Sequence, residues 1–218
     1  QDTGGVLDVF GNLVVNEKLG VTVNEQIKIK TGDKTITIGS DVKTSAVADL
    51  FSIQLDHTSG NINIPELTTK RITCRASSAT TTATGDLTLT SELEVNSGAT
   101  FNANTNTIAV KAMDLNSGGT LDLRNSTMNF SLTTDGDNID LASGATLLTG
   151  NTTLTGNTSS QTSAIIPSAA NFEVVGDVSH FFMLSGGDLT VIGSVSNNTF
   201  QDSTANIRQW HHTLDTQQ

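Results

Sequence analysis

The sequence predicts an all-β protein built as a parallel β-solenoid, a right-handed β-helix, preceded by a small β-hairpin-rich region. Three observations predict it. A turn phrase recurs at a near-constant interval, apolar residues alternate within each recurrence, and the composition is rich in Thr, Ser and Asn, with 19 Gly, 2 Pro and no Tyr. That mix favours short strands joined by polar turns over long helices.

Residues 1–76 form the first expected element. "IKIKTGDKTITIG" (27–39) sets Ile27 and Ile29 before a TGDK turn and Ile36 and Ile38 after it. "FSIQLDHTSGNINI" (51–64) repeats that plan around HTSGN. Alternation on both sides of a short polar turn reads as a hairpin. Lys28 and Lys30 then alternate outward and guard a strand edge. Residues 77–84, within "SSATTTATG", carry little apolar material and read as a linker.

Residues 85–200 form the expected solenoid. "LEVNSGATF" at 93, "MDLNSGGTL" at 113, "IDLASGATL" at 139 and "FMLSGGDLTV" at 182 share one frame, with a cruder copy, "GDLTLTSELEV", at 85. The glycines Gly98, Gly118 and Gly144 follow one another at single-repeat steps, the second slightly longer, and Gly186 falls two steps further on. Such regular spacing marks repeat architectures. Within each unit the period is two, the strand signature, so Leu93, Val95, Phe101, Leu115, Leu121, Leu123, Ile139, Leu141 and Leu147 are the expected core. A coil of this size cannot fold alone, but stacked coils spaced about 4.8 Å apart bury one continuous core. A propeller blade needs more residues than one repeat supplies, and leucine-rich repeats need a denser Leu frame; a β-sandwich is the alternative. Residues 201–218 place Ile207, Trp210 and Leu214 at helical spacing, which predicts a short capping helix over the last coil.

Net charge is −11 and unevenly spread: residues 1–75 hold 8 basic and 9 acidic residues, and residues 76–218 hold 3 and 13. An acidic surface repels phosphate backbones, so nucleic acid is not an expected partner. No apolar run reaches the roughly 20 residues of a membrane-spanning helix. The chain begins at Gln1, which suggests a processed form or part of a longer product. Cys74 is the only cysteine, which excludes an internal disulfide and reads as a small buried hydrophobe.

Candidate chemistry is confined to carboxylates and histidines. Glycoside hydrolysis needs two carboxylates about 5 to 9.5 Å apart. The candidate sets are Glu92 with Glu94, Asp114 with Asp122, and Asp135 with Asp137 and Asp140. Residues 76–218 offer only Lys111, Arg124 and Arg208 to bind an acidic sugar, and few aromatics to grip a neutral one. "DGDNID" (135–140) places Asp135 and Asp137 as alternating oxygen donors for calcium, but Ile139 breaks the EF-hand frame, and a solvated turn is the better reading. His57 and His180 are far apart in sequence, and the adjacent His211 and His212 would diverge on a helix, so no zinc set is expected. The sequons at Asn125, Asn129, Asn151, Asn157 and Asn197 follow from composition. Thr pairs such as Thr35/Thr37, Thr88/Thr90 and Thr153/Thr155 are too unevenly spaced for an ice-binding face. No catalytic, cofactor-binding or metal-binding residue is therefore assigned, and an enzyme is not expected.

The phrases "DVFGNLVVN" (8–16), "TGDLTLTSELEVNSGATF" (84–101) and "SGATLLTGNTTLTGN" (143–157) resemble bacteriophage virion appendages: tail fibres, β-helical tail spikes and capsid-decorating fibres. Bacterial surface adhesins share the style. The resemblance implies a non-enzymatic structural or adhesive rod on a virion surface, attached at one end, with a homotrimer as the first guess. Other virion proteins would bind through residues 1–76, and a host cell-surface glycan is a further implied partner. A glycan-depolymerising spike and a bacterial adhesin are the alternative functions. No catalytic residue of that family maps onto this chain.

Overall fold

The computed structural model describes residues 5–15, 26–39, 51–75, 78–131, 139–156, 162–165, 171–184, 188–196, 199–200 and 207–209. Within them the chain is all strand and turn, and every strand pairing is parallel. It is a β-solenoid. No helix among the described residues is long and apolar enough to cross a membrane.

Each central coil has three faces. The first carries Ala112–Leu115, the second Thr120–Asp122 and the third Thr127–Phe130. The longer strands Leu67–Cys74 and Leu87–Val95 run from the third face onto the first without a break, with a register irregularity between Thr69 and Arg71. Alternation builds the faces: Ala112–Leu115 and Thr127–Phe130 both bury every second side chain. The buried partners then stack in columns.

One column on the first face begins at the exposed Leu7 and runs through Ile27, Ile53, Ile72, Leu93, Met113 and Ile139; the backbone register continues through Ala164 and Met183 to Phe200. On the second face Ile62, Thr81, Phe101, Leu121 and Leu147 stack. The third stacks Leu67, Leu87, Ile108, Met128, Leu154, Val178 and Val195. These columns enclose one core, and each fully buried aliphatic side chain in it is worth about 1.5 to 3 kcal/mol. The expected core residues are all buried except Leu147, which is half-buried against the cluster.

The Ser-Gly phrase makes the corner between first and second faces. Gly98, Gly118 and Gly144 sit at φ of 77°, 78° and 83°, the left-handed region that glycine occupies without steric cost. Their amides form a ladder: Ser78 N–H donates to Gly98 C=O, Gly98 N–H to Gly118 C=O, and Gly118 N–H to Gly144 C=O, at 2.8, 2.8 and 3.0 Å. A Cβ on Gly119 would lie 2.7 Å from the Val95 carbonyl oxygen. Gly186 lies outside the described residues.

Three expectations need correction. The strands flanking TGDK are not a hairpin: Gln26–Ile29 pairs in parallel with Val6–Val9 and Ser52–Leu55, and Ile36–Ile38 pairs with Leu13–Val15. Ser52–Leu55 and Asn61–Ile64 likewise belong to different sheets, paired onward to Leu67–Cys74 and Thr80–Ala83. Alternation around a polar turn looks the same whether the turn reverses the strand or bends it to the next face of a coil. The "linker" at 77–84 contains the strand Thr80–Ala83, whose Thr81 is buried in the second-face column. Thr81 occupies the position that Ile62 and Phe101 fill in the coils on either side, and Ala83 the position that Ile64 fills in the coil before. The C-terminal segment includes a strand, Ile207–Gln209, paired in parallel with Asp188–Ile192, where a helix was expected. Residues 201–206 and 210–218 lie outside the described residues, as do Trp210 and Leu214.

Candidate functional site

In-register stacking brings together side chains that lie far apart in sequence. On the first face, the column pointing away from the core runs Asp8, Lys28, Gln54, Thr73, Glu94, Asp114, Asp140. Glu94, Asp114 and Asp140 therefore form a carboxylate ladder with a spacing of about 4.8 Å between coils. Glu92 lies beside it on the same strand, as the alternation predicts.

Arg71 holds the lower end of this ladder. Its guanidinium is 3.0 Å from Glu92 and 2.5 Å from Glu94. Glu94 also accepts hydrogen bonds from the Thr73 hydroxyl at 3.2 Å and the Asn96 amide at 3.0 Å. Burial is the main cause that pushes the Asp114 carboxyl above its ordinary range, and Asp140 and Glu94 on either side add to the shift. Burial raises Glu92 too; Arg71 opposes it, and Glu94 and Asp114 reinforce it. Asp114 and Glu92 thus retain protons at higher pH than isolated carboxylates would.

Asp114 and Asp122 do not form a pair. Asp122 lies on the second face, nearly buried, and Arg124 clamps its two oxygens at 2.9 and 2.5 Å. Those hydrogen bonds hold its carboxyl below the usual range, which suits a fixed anion rather than a proton donor. Asp122 and Arg124 line a shallow polar cleft of about 230 Å³ with Asn102, Asn104, Thr105 and Asn125. A step of one repeat places Asn102 against Asp122, and that step is the signal that could have located the cleft. Of its lining the sequence singled out Asp122 as a carboxylate, Arg124 as a cation and Asn125 as a sequon, but did not bring them together.

Asp135 and Asp137 lie outside the described residues, so Asp140 joins the ladder without them. Among the described residues no group of three or more His, Cys, Asp or Glu is arranged to hold a metal ion. Burial pushes the Cys74 thiol up to about 12, which makes it an inert core side chain. His57 is buried in the corner after Ser52–Leu55, and His180 occupies a left-handed corner at φ 61°. His211 and His212 lie outside the described residues.

The chain matches no family model, no curated protein and no solved structure.

Proposed function

We propose that this chain is a non-enzymatic structural or adhesive rod displayed on the surface of a virus particle, attached through its N-terminal coils. The supporting observation is the difference between its two parts. The first coil leaves Val6, Leu7 and Val14 exposed on strands that pair on one side only among the described residues, with Phe10 exposed in the bend between them. Unpaired edges and exposed apolar side chains call for a covering partner. Residues 76–218, in contrast, carry 3 basic and 13 acidic residues, a surface that keeps neighbouring copies apart. Attachment at the neutral end leaves the acidic coils projecting. A homotrimer covers such edges by closed symmetry, and another virion protein would cover them equally well.

A polysaccharide-cleaving spike is the second reading, favoured by the raised carboxyls of Glu92 and Asp114 beside Glu94. A bacterial surface adhesin would share the same polarity. Immunogold labelling with an antibody to the chain separates these readings. Gold on particle tails or capsids supports the virion rod, and gold only on cell envelopes overturns it in favour of the adhesin. Reducing ends released from host polysaccharide, and lost in Glu92→Gln or Asp114→Asn, would establish the spike.

A further inference from the structure

We propose that His57 is an acid-sensitive latch: proton uptake by its imidazole opens the corner that joins Ser52–Leu55 to Asn61–Ile64 and loosens the N-terminal coils. His57 is 1% exposed, and neither ring nitrogen meets a partner in full hydrogen-bond geometry, the Thr80 backbone lying close enough only to bias the ring. A buried polar group without a partner is costly, and a buried unpaired charge far more so.

The charged groups around the imidazole are already committed. Asp56, the next residue, accepts from Lys30 at 2.8 Å and from Gln54 at 2.5 Å. Asp33, in the corner of the coil below, accepts the Asn61 N–H at 3.0 Å, and its carboxylate fills the space where a Cβ on Gly60 would stand. Burial dominates and holds the imidazole below its ordinary value of 6.5, although the nearby Thr80 backbone and both carboxylates favour a proton on the ring. Arg75, on the coil above, is exposed and adds no negative charge.

The sign follows directly. Above pH 6.5 the ring is neutral whether folded or open, and the latch is closed. Below it the open state takes a proton that the closed state refuses, so opening becomes easier with each step down in pH. The corner is flanked by Leu55 and Ile62, both fully buried. Opening it adds their apolar surface to that already exposed at Leu7 and Phe10. Acid therefore enlarges the apolar end of the rod, and this holds wherever the rod is displayed.

Amide hydrogen exchange on the whole chain at pH 7.0 and 5.5, corrected for intrinsic rates, tests the latch alongside an NMR titration of the imidazoles. In the wild type, protection at Ile53, Leu55 and Ile62 is expected to fall by up to about tenfold per pH unit below 6.5. In His57→Leu it is expected to stay flat, with His57→Gln as a second variant should the first fold poorly. The His57 ring is expected to stay neutral at pH 5.5 while the chain is folded. An imidazole titrating near 6.5 in the folded chain, or an equal loss of protection in wild type and variant, would overturn the latch.

Discussion

The coils around His57 and those carrying Glu94, Asp114 and Asp140 share one backbone plan, but they answer acid in opposite directions. Around His57 the titratable group is a buried base held neutral. Burial also works to raise nearby Asp56, but the hydrogen bonds from Lys30 and Gln54 prevail and hold it below the carboxylate range. Both arrangements lose stability as protons arrive: the first below pH 6.5, the second only as pH falls below about 3.8. In the central coils burial raises Glu92 and Asp114, so the folded chain binds protons more readily than the unfolded chain, and mild acid stabilises it. A parallel stack fixes which residues become neighbours but not whether those neighbours agree. Where the repeat is most faithful, like charges end up above one another.

The comparison can be broken most forcefully through the shared core. Leu121→Ala removes a fully buried side chain and is expected to cost about 2 to 5 kcal/mol in denaturant unfolding. Because coils contact mainly their neighbours, the accompanying loss of exchange protection should centre on residues 100–148. Equal loss at Ile53 would show a single cooperative unit and remove the distinction between the two regions.

Corner substitutions come next in size. Gly118→Ala forces an alanine into φ 78° and sets its Cβ 2.9 Å from the Ser97 hydroxyl, for an expected cost of about 1 to 2 kcal/mol. Ser78 occupies the same corner one coil below Gly98 at φ 67°, so Ser78→Gly should gain up to about 1 kcal/mol. Thermal unfolding measures both changes, and a gain from Gly118→Ala would refute the corner argument.

Smaller still is the charge effect. Asp114→Asn removes the middle of the ladder and should stabilise the chain at pH 7 by under about 1 kcal/mol, given solvent screening. The wild type should approach the variant as pH falls and its own Asp114 takes up a proton, earlier than an ordinary carboxylate would. Urea midpoints from pH 7 downwards test this, and a constant gap would show that repulsion is not the cause. The least change is expected at Cys74: thiol reagents should leave it unlabelled in the native chain and label it fully in denaturant.

The solenoid was legible because Leu93, Met113 and Ile139 begin nearly identical phrases, and a repeated left-handed corner tolerates little besides glycine. Residues 26–75 were misread for a physical reason. Their corners use Asp33 at φ 55° and Gly60 at φ 83° without the Asn-Ser-Gly phrase, so nothing distinguished a bend between faces from a hairpin turn. Thr80–Ala83 was missed because small residues replace the apolar side chains that mark a strand. The ladder was half visible: Glu92 and Glu94 are adjacent by alternation, but the stacking of Asp114 between Glu94 and Asp140 required the register. His57 gave no signal at all, since burial of a lone histidine depends on neighbours one coil ahead and one coil behind, at Thr80 and Asp33.

In-register stacking also makes the molecule a ruler. Leu93 to Met113 is one full step of the chain, and the third and second faces advance by the same step, Ile108 to Met128 and Phe101 to Leu121. Excising one such segment would rejoin every column one rung lower, with inward residues still inward and the glycine ladder unbroken. Inserting a copy would lengthen the rod by about 4.8 Å at no change in cross-section. Recombination between repeats can therefore tune length without redesigning the fold, whereas a one-residue slip inside a strand would turn that face inside out unless a corner or a bulge absorbs it, as the irregularity between Thr69 and Arg71 does.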